Sequence, residues 1–479
     1  MVLKPENKRQ QTSNHKEKNI MKSKQKVLIG GALALASLIN THLYAGEEVA
    51  VEDVAMQKLI RVLETNGTLD KKNAIKLREA VTVQDSIEAK RTQAAIDKAA
   101  NGGTKINTKG KLSFESADGD FKVHINGRIM TDATFVDSDK SNLDSGTELR
   151  RARIGIGGTF YKDWGFQLTP DFGQGSASIT DAWVNYKGIK NTKITVGQHH
   201  APFAMEIADS SKYMTFIERS IGSELIQGAS GPGNRRMGIS SFHNGDDWTV
   251  QYGAFGTSLN GNDGDNDDRV TYTGRATFAP INNKELNQKL HLGFGYAYQD
   301  FDNDNSRVRF RTRNGTHVGA RWLDSSVYGD SSQYLTADTA AVFGPFSVQA
   351  EYDMAMVDTS SGSDVDVDSY FVQADYFLTG ESRNYNAKKG HFGSITPKAP
   401  VSKGGIGAWQ VGARFATADM NDGSHTGGEL DTLTLGLNWY PEKNVRFMAN
   451  YNRVMHVKDG AVSDNDEPSA IMLRSQIYW

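Results

Sequence analysis

The 479-residue chain contains no cysteine. That absence removes disulfides, thiolate metal sites and cysteine nucleophiles together. Long apolar runs are missing too. After residue 45 no run is long enough for a transmembrane helix. Hydrophobic residues make up only 38% of the chain. Low hydropathy argues against helical membrane spans but not against spanning strands, whose alternation dilutes the signal. No GxSxG, HExxH, P-loop or GxGxxG pattern occurs in the right context. Catalysis therefore has no positive support, and neither a catalytic residue nor a cofactor is expected. A formal net charge of −3 decides little and gives no reason to expect a nucleic-acid partner.

What is present begins with a leader. Residues 21–45 carry Lys22, Lys24 and Lys26, an apolar run from Val27 to Ile39, and Leu43-Tyr44-Ala45 ahead of Gly46. This is the pattern of a secretory signal peptide, with Met21 as the expected start. No cysteine follows the run, so a lipoprotein is excluded, and export argues further against nucleic acid. Residues 46–104 form a second segment. Met56, Leu59, Ile60 and Leu63 follow helical spacing, Asn66-Gly67 stops that helix, and Thr68 can cap the next. Leu69, Ile75, Leu77 and Val81 continue among many charges up to Asn101-Gly102-Gly103. The pattern predicts two or three short amphipathic helices, helical or coiled-coil-like and periplasmic.

From residue 105 to 479 the chain reads as a third region, and from 121 its period is two. Phe121, Val123, Ile125, Ile129, Ala133 and Phe135 share one face; Lys122, His124, Asn126, Arg128 and Asp132 share the other. With this one the alternation occurs in sixteen stretches, ending at 469–479. There Ile471, Leu473, Ser475, Ile477 and Trp479 oppose Met472, Arg474, Gln476 and Tyr478. Taken alone, that last stretch fits a sandwich strand or the closing strand of an outer-membrane barrel equally. The connections break the tie. Lys162-Asp163, Asn244-Gly245-Asp246, Gly344-Pro345 and Pro441-Glu442-Lys443 are short, whereas 137–148, 199–236, 257–268, 300–332, 358–367, 417–429 and 455–468 are mostly long and polar. Short turns at one end and long loops at the other predict an all-β transmembrane barrel of 16 antiparallel strands, with a short N-terminal helical segment. Residues 380–407 break the rule: strand count makes them a periplasmic turn, yet they are long.

The polar faces carry the candidate chemistry. If Ile154 and Ile156 face lipid, Arg151 and Arg153 face the lumen. In RVRFRTR, an extended backbone puts Arg307, Arg309, Arg311 and Arg313 on one side, roughly 7 Å apart. Arg321, Arg269 and Arg275 are candidates to join them. A row of guanidinium groups fits an anion path, because the group stays charged and its fork matches phosphate or carboxylate oxygens. A solvated loop that binds lipopolysaccharide, or nothing, accounts for the row as well. The acidic run 263–268 lacks EF-hand spacing and reads as a loop tip. His199-His200 has no carboxylate framework, so no metal site is expected.

ELRRARIGIGGTFYKDWGFQL, TVGQHHAPFAMEIADSSKYMTFIERS, VFGPFSVQAEY, YFVQADYFLTGESRNY and TLGLNWYPEKNVRFMANY follow one another in order between residues 105 and 479. These stretches resemble the phosphate-selective porin O and P family. The resemblance implies a sixteen-stranded, homotrimeric porin of a Gram-negative outer membrane. It would be surrounded by lipid and lipopolysaccharide and would conduct small anions such as phosphate, with loops folded into its pore. It makes 199–236 the inward loop and gives an arginine ladder of Arg150, Arg151, Arg307, Arg309, Arg311 and Arg313, which Arg153 extends. Lys109 matches a pore-entrance lysine, and Asp181, Ser210, Ser211 and the adjoining Lys212 match the constriction. Phosphate-specific members have a lysine where this chain has Ile207, and further lysines where it has Asn107 and Gly119. A non-conducting barrel serving as an anchor or interaction protein is the alternative, with the inward loop as a plug.

Overall fold

In the computed structural model the described residues are 58–479, except 59, 68, 102, 109–111, 227–230, 257–268, 302–305 and 360–361. The leader, Met56, Leu59, Thr68, Lys109 and the acidic run 263–268 therefore lie outside the described residues. The chain divides into two compact units, Met1–Gly103 and Thr104–Trp479.

In the first unit residues 60–65 are helical and Gly67 takes φ 74°, a left-handed turn that ends the helix. Of the two or three short helices expected in this segment, the next is corrected in length. Lys71–Asn101 is a single helix of 31 residues, α1. Its cap is Asp70, whose carboxylate accepts from Asn73 N–H at 2.8 Å and Asn73 Nδ2 at 2.7 Å. Ile60 and Ala74 are buried, while Ile75, Leu77, Val83 and Ile87 are exposed.

The second unit begins with the short strands β1 (Lys105–Asn107) and β2 (Leu112–Glu115). Next come β3 (Lys122–Asp137), β4 (Gly146–Phe160), β5 (Trp164–Asp171), β6 (Ser178–Tyr186), β7 (Thr192–His200), β8 (Arg235–Asn244), β9 (Trp248–Phe255), β10 (Val270–Asn283) and β11 (Gln288–Asp300). A hairpin, β12 (Ser306–Thr312) and β13 (Leu323–Gly329), precedes β14 (Ser331–Phe343), β15 (Phe346–Asp358) and β16 (Val365–Phe377). The minor pair β17 (Tyr385–Asn386) and β18 (His391–Phe392) precedes β19 (Ala408–Asp419), β20 (Glu429–Glu442), β21 (Val445–Lys458) and β22 (Ser469–Tyr478).

β3–β11, β14–β16 and β19–β22 are the sixteen barrel strands. Each pairs antiparallel with its neighbours, and β22 returns to pair with β3 from Ser469↔Asp137 to Tyr478↔Arg128. Closure satisfies every strand edge, which is what allows a sheet to sit in lipid. Outward positions are apolar and exposed: Ile129, Ile154, Leu168, Val196, Leu292, Leu435 and Leu473 among them. Phe160, Trp164, Trp248, Phe343, Phe346 and Trp439 lie near the short-turn end, the placement of an interfacial aromatic girdle. No described helix is long and apolar enough to cross a membrane. Inward positions are polar, and two small helices, α2 (Met205–Ala208) and α3 (Ile221–Ile226), lie in the long connection between β7 and β8.

One irregularity in the wall redirects an arginine. In the β3–β4 pair Met130 opposes Arg151 but Thr131 opposes Leu149, leaving Arg150 as an extra residue. Simple alternation would send Arg150 and Arg151 to opposite faces. The β-bulge turns both inward.

Candidate channel constriction

The connection between β7 and β8 enters the barrel. Ala201, Phe203, Met205, Met214, Phe216 and Ile217 are all buried. An irregular backbone at membrane depth needs partners for its carbonyl and amide groups. Wall side chains supply them. Arg275 donates to Phe203 O at 2.7 Å, Arg446 to Met214 O at 2.6 Å, and Arg474 to Ile217 O at 2.6 Å. Asn438 donates to Thr215 O at 2.9 Å, and Asn450 Oδ1 accepts from Ile217 N–H at 2.8 Å. These contacts hold the loop against β10 and β20–β22, and its other side turns toward β3–β8.

Three arginines stand on that facing wall. Arg128 and Arg153 are directly opposite each other across β3–β4. Arg153 pairs with Asp171 at 2.6 Å, and Arg235 with Asp181 at 3.0 Å. Arg128 donates to Ser211 Oγ of the loop at 2.7 Å. Lys212, next along, sits over the rings of Tyr213 and Tyr478 at 5.3 and 5.1 Å. Like charges placed directly opposite destabilise a sheet pair unless an anion lies between them. Four cations, Arg128, Arg153, Arg235 and Lys212, thus stand with two carboxylates, Asp171 and Asp181, where the inward loop approaches this wall. Ser210 contributes its carbonyl to a turn, accepting from Tyr213 N–H at 2.8 Å.

The bulged pair lies beside this point. Arg150 grips Glu218 of the loop with two bonds of 2.9 Å. Arg474 joins Glu218 at 2.8 Å and Asp132 at 2.6 Å. Arg151 is buried against Met130 Sδ at 3.9 Å.

At the long-loop end the hairpin folds inward. Val308, Phe310, Leu323 and Val327 pack on Val357, Val367, Ala418 and Val457 of the wall. This seats the opposite face, with Arg307, Arg309 and Arg311, on the polar side. β12 ends at Thr312, so Arg313 leaves the row and binds Glu224 of α3 at 2.9 Å, where Arg321 also bonds. Arg309 pairs with Asp324 through two bonds of 2.6 Å, and Arg307 donates to Ser326 Oγ at 2.9 Å. The hydrogen bond from Arg309 holds the Asp324 carboxyl below its ordinary range. Arg275 is not part of the row. It is buried and paired with Asp338 at 2.6 Å. Arg269 stacks over Phe301 at 4.7 Å and donates to Arg307 O. His199 and His200 part company: His199 Nε2 meets Ser240 Oγ at 2.7 Å, while His200 Nδ1 meets Gly233 O at 3.2 Å.

Ile207 lines a cavity of about 660 Å³ together with Lys187, Lys193, Lys389, His391 and Arg275. The sequence alone does not single out Arg128, Arg235 or Lys193. For Arg128 a signal exists: its place on the polar face of the first strand and its register opposite Arg153.

A closed sixteen-strand barrel with a lipid-facing apolar exterior, a polar lumen and an inward loop defines an outer-membrane porin channel. The family model described as phosphate-selective porin O and P matches residues 123–479, and the chain belongs to that family. It is similar to Porin O of Pseudomonas aeruginosa, with 29% identity over 416 residues, 78% of this chain and 92% of that protein. An uncharacterised protein of Caulobacter vibrioides is 28% identical over 370 residues, 74% of this chain and 72% of the other. Among solved structures, an anion-selective porin from Comamonas acidovorans aligns with a TM-score of 0.49 and 14% identity, covering 75% of this chain and all of that one.

Proposed function

We propose that this protein is a passive, anion-preferring diffusion channel of a Gram-negative outer membrane, working as a homotrimer and admitting phosphate or other small anions. The observation that carries the reading is the surplus of Arg128, Arg153, Arg235 and Lys212 over Asp171 and Asp181 at the constriction. Family membership supports it. An anion entering over Arg307, Arg309 and Arg311 meets these cations in series. Each site replaces part of its hydration, and several weak sites let it leave. No energy source is needed. Residues 46–104 serve as a periplasmic segment outside the conducting path.

One observation favours the rival reading of a plugged barrel: the β7–β8 loop and the β12–β13 hairpin both fold into the lumen. Single-channel recording in a planar bilayer decides. Discrete conductance with a reversal potential on the anion side in a KCl gradient is the expected result. No conductance from correctly folded protein selects the plug.

A further inference from the structure

The long connection 380–407, out of place among short turns, does not hang below the barrel. Its residues Tyr385, Ala387 and Phe392 share a buried cluster with Met205 of α2 and with Ala279, Ala340 and Val342 of the wall. Tyr385 Oη lies 2.6 Å from His291 Nδ1, so the connection has its own anchor on β11. From that anchor it reaches the constriction loop. Arg383 lies 3.7 Å from Asp209 and 3.8 Å from Asp375 of β16, donates to Gln349 Oε1 at 3.0 Å, and stacks on Phe392 at 3.4 Å. Phe392 N–H donates to Asp209 Oδ1 at 2.7 Å. Arg383, Asp209 and Asp375 are all buried.

Asp209 immediately precedes Ser210 and Ser211, and Ser211 Oγ is the partner of Arg128. We propose that the connection 380–407 is a clamp that sets the position of the constriction loop, with Arg383 as its positioning residue. Arg383 touches no permeant ion. It acts through Asp209, fixing where Ser211 and Lys212 stand relative to Arg128. The wall bonds the loop mainly through its 203–206 and 214–219 backbone. The stretch between, which carries the constriction serines, has Asp209 as its anchor to the clamp, while Gln476 of the wall donates to Lys212 O at 3.1 Å. This inference rests on the proposed anion channel.

The test compares wild type with Arg383→Gln, Arg383→Lys and Phe392→Leu, each first checked for a folded, heat-modifiable barrel. Reversal potentials in a KCl gradient and open-channel current noise are then recorded. Arg383→Gln and Phe392→Leu should lower the anion-to-cation permeability ratio at least about twofold and raise the noise, and Arg383→Lys should fall between them and wild type. Arg383→Gln leaves two carboxylates buried without their cation. Where it does not fold, Phe392→Leu decides, because it alters no charge. Folded variants with the wild-type ratio and noise overturn the proposal. Failure of both Arg383→Gln and Phe392→Leu to fold also overturns it, making the connection a support of the barrel itself. A wild-type channel without anion preference would instead sink the proposed function.

Discussion

Gly127 and Trp479 exchange both of their backbone hydrogen bonds, each at 3.1 Å. The pair extends the β3–β22 seam to the last residue. Gly127 is required there because a Cβ would overlap the Trp479 ring and lie 2.7 Å from Arg153 O.

Gly127→Val should therefore impair closure. Overpacking of this kind costs about 1–3 kcal/mol, and here it falls on the seam that completes the barrel. The expected result is a reduced heat-modifiable folded fraction on gels. An undiminished fraction would show that the seam closes without the indole in place.

Arg128→Gln should weaken anion preference more than any single change in the outer arginine row. Arg128 bonds the loop through Ser211 and faces Arg153, at the proposed constriction. At about 4 Å and an effective dielectric of about 20, one charge is worth up to about 4 kcal/mol. A net loss of about 1.4 kcal/mol is already tenfold in relative anion occupancy. Reversal potentials in a salt gradient check this, and equal shifts for Arg128→Gln and Arg311→Gln would contradict it.

The outer row should respond to its own partners. Replacing Arg307, Arg309, Arg311 and Arg313 together with Gln should move the reversal potential toward cations and lower anion conductance. Asp324→Asn should do the reverse, because it leaves the Arg309 charge uncompensated. The Asp324 pKa is depressed, so its pairing persists above its ordinary range and is lost only as pH falls through the lower folded value. Between pH 5 and pH 8 the pair should thus add no pH dependence, as conductance across that window can test. The difference between Asp324→Asn and wild type should shrink at higher salt, where screening shortens.

Ile207→Lys should strengthen phosphate block of chloride current. The position lines the cavity that holds Lys193, Lys389 and His391, so a further ammonium would join an existing basic lining. Buried lysines neutralise readily, which predicts a stronger effect at pH 6 than at pH 8. Titration of the chloride current with phosphate at both pH values measures it. Unchanged block at both would show that Ile207 does not stand on the anion path.

Alternation together with the segregation of short turns from long loops determined the barrel. Sixteen period-two stretches, each with one apolar face, have a single low-energy arrangement in lipid, where every backbone group must find a partner within the closed sheet. The arginines of RVRFRTR were legible for the same local reason, whereas the inward loop 199–236 came from the resemblance to the porin O and P family. What local pattern could not hold was anything set by contacts between distant residues. The bulge at Arg150 appears only when β3 is laid beside β4. Arg128 and Arg153 meet when β3 pairs with β4, and Arg235 of β8 joins them only through the curvature of the sheet. Arg313 follows the alternation of its row, yet Glu224, 89 residues earlier, draws it away. Arg275 looks like a further pore charge in the sequence and Arg474 like one more polar-face residue, and the fold buries them against Asp338 and Asp132. A lone charge reads the same in any strand; whether it faces an ion or a carboxylate is decided by what the closed wall brings opposite it.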